Sequence, residues 1–98
     1  MLVLPATLTF REARDTLRLL KQVLQSESGD GPVVANAAPL QHFDSAALAV
    51  LLELERLADA WGRDFAVRAA PPKLTALAKL YGVDVLLLKS QAAAAGAA

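Results

Sequence analysis

The stretch from Ser45 to Trp61, SAALAVLLELERLADAW, constrains the fold more than any other part of the chain. Ala47, Leu48, Leu51, Leu54, Leu57, Ala58 and Trp61 recur at helical spacing and form a wide apolar surface. A helix with such a face must be buried against other elements. Glu53, Glu55, Arg56 and Asp59 define its polar side. Gly62 suits the position just past the helix end, where a left-handed backbone is favoured.

The partners of this helix can be read on either side of it. Leu2 to Leu4 reads as a short strand, ended by Pro5, which cannot donate to a ladder. Thr9 followed by Glu12 is a capping-box pattern opening a helix from about Phe10 to Gln25. Phe10, Ala13, Leu17, Leu20 and Leu24 make its apolar stripe, with Arg14, Arg18, Lys21 and Gln25 on the other side. SESGDG is a loop by composition, and Val33-Val34 is a buried-strand candidate. APLQHF is irregular but carries Leu40 and Phe43. Beyond the long helix, Phe65 and Val67 mark a strand, and Pro72 to Gly82 frame a short helix. Leu74, Leu77, Ala78 and Tyr81 are its expected inner stripe. Val83 to Leu88 reads as a last strand. Trp61 and Tyr81, on apolar stripes, are expected in the core or at its edge. The order strand, helix, strand, helix, strand, helix, strand predicts helices packed on a mainly parallel sheet.

The chain has 98 residues, a formal net charge of zero and no cysteine. The length fits one domain with one core. Without a Lys/Arg cluster there is no electrostatic footprint for nucleic acid. Without cysteine there is no disulfide framework or thiolate metal site. MLVLPATLTF lacks a basic region ahead of its apolar residues, which argues against a secretory signal. The longest apolar run, Ala46 to Leu52, is far too short to span a bilayer. Direct membrane insertion is therefore not expected.

His42, Asp44 and Ser45 supply the residue types of a hydrolase triad. A triad needs a base within reach of the nucleophile and a third group that orients the base. Three residues this close along one chain rarely converge so, and no Gly-x-Ser-x-Gly elbow accompanies them. One histidine does not make an ordinary zinc site. SGDG lacks the Lys and Ser/Thr of a phosphate loop. No cofactor is expected.

Asp44-Ser45 is the sharper feature. Asp and Ser are both ordinary N-caps, worth about 1 kcal/mol, so one of them is expected to cap the long helix. The helix dipole at that end favours negative charge. A phosphoryl group on Ser45 would be tolerated locally, yet would change any surface docked there. The Arg14, Arg18, Lys21 stripe reads more simply as a solvated face than as a partner strip.

FDSAALAVLLELERLADAWGRDFAV, Phe43 to Val67, resembles the signature of STAS domains. In that family a strand runs into Asp-Ser or Asp-Thr, then small residues and a Leu, then the long second helix. Asp44, Ser45 and Leu48 match. LTALAKLYGVDVLL, Leu74 to Leu87, is similar to the C-terminal stretch of the MlaB-like STAS domains, small subunits of phospholipid-transport ABC complexes in Gram-negative bacteria. The resemblance runs from about Leu2 to Leu88 and implies an α/β, STAS-like fold. That fold has a small, mainly parallel sheet of about four strands with helices packed on it. It implies a STAS domain over residues 1–89, followed by an Ala-rich flexible tail over 90–98. Three departures stand out. Ala46 and Ala47 replace the Gly that usually follows, which restricts the backbone there. The chain opens on what reads as the second strand of the usual N-terminal hairpin, so a smaller sheet with a different exposed edge is expected. Asn36 stands where the family often has Asp.

The resemblance implies a non-enzymatic cytoplasmic subunit, peripheral to the inner membrane through its partners. Those partners would be an ABC transporter ATPase and, through it, a membrane permease, in a system that maintains outer-membrane lipid asymmetry. Ser45 is the implied partner-binding or phosphorylation residue, with Gln41, His42, Asp44, Ala46, Ala47 and Leu48 around it. The alternative within the family is an anti-sigma-factor antagonist whose Ser45 a serine kinase phosphorylates.

Overall fold

Residues 1–26 and 31–88 are described by a computed structural model. The chain opens with β1 (Leu2–Val3) and β2 (Thr7–Leu8), the two separated by Pro5. Helix α1 (Phe10–Ser26) leads to β3 (Val33–Asn36) and β4 (His42–Phe43). Then come α2 (Ser45–Ala60), β5 (Phe65–Arg68), α3 (Pro72–Leu80) and the short α4 (Asp84–Leu87).

Every strand pair among the described residues is parallel. One sheet has the order β1-β3-β5, and β2 pairs with β4 beside it. Register follows the pleat. Leu2, Ala35 and Val67 form one row and Val33 and Phe65 the next. All five point into the core. Val3, Val34, Asn36, Ala66 and Arg68 alternate with them toward the outer face. β2 and β4 are too short to display alternation in sequence. They form because the Ala6 carbonyl accepts the amides of Gln41 and His42, which carries pairing past the Pro5 break.

Helix α2 is the central element. Ala47, Leu48, Val50, Leu51, Leu54 and Ala58 are buried, and α2 packs on α1, β5 and α4. Three elements around one helix account for the width of its apolar surface. Gly62, with φ +70°, ends α2, and Gly82, with φ +72°, ends α3. Both lie in the left-handed region that favours glycine.

Helix α1 starts with the expected capping box. The Thr9 hydroxyl donates to Glu12 Oε2 at 2.6 Å, and the Thr9 amide donates to the same oxygen at 3.1 Å. Chiefly through the Thr9 hydroxyl, the Glu12 carboxyl is held below its ordinary value; desolvation opposes this, while the Thr9 amide, its own amide and the Arg11 charge assist. A carboxylate with a depressed folded-state pKa stabilises the fold above its unfolded pKa, and that contribution is lost as pH falls through the folded value. Glu12→Gln is therefore expected to lower the melting temperature at neutral pH. The gap from the parent should close as pH falls below the ordinary carboxylate range of about 4. Thermal melts of both chains at neutral and acid pH check this; a constant gap would contradict it.

Four expectations are corrected. Val83 to Leu88 is not a strand. The Val83 carbonyl accepts the amides of Leu86 and Leu87, and α4 forms instead. Leu87 and Leu88 are both buried while Val85 and Leu86 are both exposed, a two-out, two-in pattern that suits a helical turn and not a strand. Phe10 leaves the apolar stripe of α1. It is the first helical residue, and its side chain is 73 % exposed. Trp61 and Tyr81 are exposed too, because each is the C-cap of its helix and lies past the last packed turn. Ala13, Leu17, Leu20 and Leu24 keep their expected places in or against the core. Part of the SESGDG loop and residues 89–98, which include the expected tail, lie outside the described residues.

Candidate functional site

Parallel strands feeding helices bring helix starts to one end of a fold. Here the starts of α1 and α2 meet at one side chain. Asp44 is extended (φ −129°, ψ −164°) and is the N-cap of α2. Its Oδ1 accepts the Ala46 amide at 2.8 Å. Its Oδ2 accepts the Phe10 amide, the first of α1, at 3.3 Å. One carboxylate thus satisfies orphan amides of two helices, a role that two oxygens on one short side chain can fill.

Asp44 being the cap leaves Ser45 free of that task. Ser45 is the first residue of α2, is exposed, and its hydroxyl makes no hydrogen bond among the described residues. Gln41 and His42 are exposed beside it on the approach through β4. Asp44 and Ala46 are half-buried. Ala47 and Leu48 belong to the core, at 0 % and 4 % exposure, and face away from solvent. The predicted group therefore divides into an exposed part, Gln41, His42 and Ser45, and a supporting part that fixes where α2 begins. Asn36 ends β3, and its Oδ1 accepts the Ala38 amide at 3.0 Å, holding the turn toward β4.

The geometry does not assemble a triad. Both Asp44 oxygens are committed to backbone amides, and no hydrogen bond joins His42 to Ser45 among the described residues. No group of three or more His, Cys, Asp or Glu side chains gathers there into a metal site. Among the described residues, no helix is long and apolar enough to cross a membrane.

Two contacts, one at Asp44 and one at Phe43, were not anticipated. Phe10 is tied by its amide to Asp44 and turns its ring to solvent. Lys73, exposed in the first turn of α3, holds its ammonium 5.5 Å from the centre of the Phe43 ring, within cation–π range. Ala69, in the left-handed region at φ 57°, lies between the end of β5 and the start of α3. The position of Phe10 at the very start of its helix was a usable signal, since a side chain there need not follow the stripe. The Lys73–Phe43 contact joins residues far apart in sequence and left no local trace.

Set against known proteins, residues 1–89 match the model of a family described as "Mlab, STAS domain". No curated protein matches the chain.

Proposed function

The chain belongs to the MlaB-like STAS family, and from that membership we propose that it is a non-enzymatic subunit of a phospholipid-transport ABC system. Its task is to bind the ABC ATPase subunit and support that subunit's assembly and activity. The ATPase links it to a membrane permease in a system that maintains outer-membrane lipid asymmetry. On this reading the domain works in the cytoplasm and reaches the inner membrane only through its partners.

The observation that carries this reading is Ser45, exposed at the start of α2 on a backbone pinned by Asp44. Ser45, Gln41 and His42 are the contact residues. Asp44, Ala46, Ala47 and Leu48 set their position. A rigidly placed surface favours docking because little ordering remains to be done on binding. Co-expressed with the ATPase subunit of such a system, the domain is expected to elute with it as one complex. Separate elution would contradict the proposal.

The exposed Ser45 hydroxyl also supports the second reading, an anti-sigma-factor antagonist switched by a serine kinase. Incubation with such a kinase and ATP would then add a phosphoryl group at Ser45. A chain that stays unmodified removes this reading.

A further inference from the structure

We propose that the free edge of β1 and the adjoining shoulder of α1 form a two-fold contact whose occupant is a second copy of this chain. The contact is separate from the surface at Ser45 and does not rest on the function proposed above.

β1 stands at the end of its sheet and pairs only with β3 among the described residues. The Leu4 amide donates to the Asn36 carbonyl at 3.0 Å. Backbone polar groups alternate sides along a strand, so the amide and carbonyl of Val3 face away from β3. A free edge of this type is a template for a further strand. Beside it runs a groove of about 380 Å³ lined by Val3, Leu4, Pro5, Thr16, Leu19 and Leu20. Val3 is 54 %, Leu19 58 % and Val23 42 % exposed. Val23 lies one turn beyond Leu19 on the same shoulder of α1. None of the basic residues of α1 lines the groove, so no cation guards the edge against pairing.

The occupant must supply a strand for Val3 and an apolar helix surface for Leu19 and Val23. Pro5 has no amide to add to the ladder, so a lone extended peptide would gain too few bonds at this short edge. A second copy supplies both parts. Antiparallel pairing centred on Val3 joins the two Val3 residues through reciprocal N–H···O bonds. The same two-fold axis sets the α1 helices side by side, with Leu19 of each copy against the groove of the other. A net charge of zero removes long-range repulsion between copies. The exposed side chains and their neighbours contribute on the order of 500 Å² per copy, near the roughly 1,000 Å² total that a specific contact needs. The dimer is therefore weak and concentration dependent. Leu19 lies about 14 Å along α1 from Phe10, which is bonded to Asp44, so the contact leaves the Asp44 end of α1 uncovered.

Analytical ultracentrifugation of the full chain, from about 1 μM to about 1 mM, is expected to show monomer passing into dimer. Leu19→Glu would bury an unpaired charge at the contact and should move the midpoint about tenfold or more to higher concentration, with the melting temperature unchanged. Leu80→Glu, at a 79 % exposed position ending α3, should dimerise as the parent does. The chain has no cysteine, so Val3→Cys reads the geometry directly. Facing residues of such a pair have Cα atoms about 5.5 Å apart, within disulfide range. Oxidised Val3→Cys should therefore cross-link faster than Leu80→Cys at equal concentration. A chain that stays monomeric throughout means that the edge takes another occupant or none, and the inference falls. It falls equally if Leu80→Glu breaks the dimer and Leu19→Glu does not, or if Val3→Cys cross-links no faster than Leu80→Cys.

Discussion

Replacing Ser45 by Arg is expected to abolish binding to the proposed ABC ATPase partner while leaving the domain folded. The side chain is exposed and makes no hydrogen bond among the described residues, so its loss leaves nothing unsatisfied in the core. Asp44 remains the cap. An added cation at a helix start costs about 0.3–1 kcal/mol against the dipole, well within the stability of an ordinary domain. At the centre of an interface the same change inserts a long charged side chain, where disruption of a hot spot costs about 2 kcal/mol or more. Ser45→Glu separates the two effects. Its charge suits the helix dipole, so stability should hold or rise slightly, yet binding should still be lost. Calorimetric titration with the ATPase, paired with thermal melts, reads both quantities. Variants that bind as the parent does would show that Ser45 is not at the interface.

The largest stability effect is expected at Leu51. It is 0 % exposed in the middle of α2, the helix that packs on α1, β5 and α4. Leu51→Ala removes buried methyl groups and leaves a cavity that these three elements cannot all close. The cost should be about 2–5 kcal/mol. For a domain of this length that is a large part of the total, and binding should weaken only in proportion to the fraction unfolded. Urea denaturation measures the change. A loss under about 1 kcal/mol would mean that α2 is not the centre of the core.

The middle of each helix was legible in the sequence, and the ends were not. Leu20 and Leu24, or Leu51 and Leu54, lie one turn apart with neighbours on all sides, so spacing determines which way they face. Phe10, Trp61 and Tyr81 continue the same spacing at helix termini, where the core has already ended. Spacing carries no information about where a neighbour stops. The segment Val83 to Leu88 was ambiguous for a related reason. A short apolar run fits a strand or a helical turn, and packing on α2 and α3 decides in favour of the turn. The site was half legible. Composition identified Asp44-Ser45 as a helix start but could not choose the cap. Asp44 is the cap because its Oδ1 accepts the Ala46 amide, and its Oδ2 also takes the Phe10 amide from another element. Once those bonds exist, Asp44 is the structural residue and Ser45 the available one. The family resemblance, carried by Phe43 to Val67 and Leu74 to Leu87, survives the correction at Val83, because the family match spans residues 1–89.

The most direct measurement is to express the tagged domain in a Gram-negative host, purify it gently and identify what remains bound. The expected result is an ABC ATPase together with its membrane permease, retained by the parent and absent with Ser45→Arg. Recovery of a serine kinase of the anti-sigma type, with no ATPase, would contradict it.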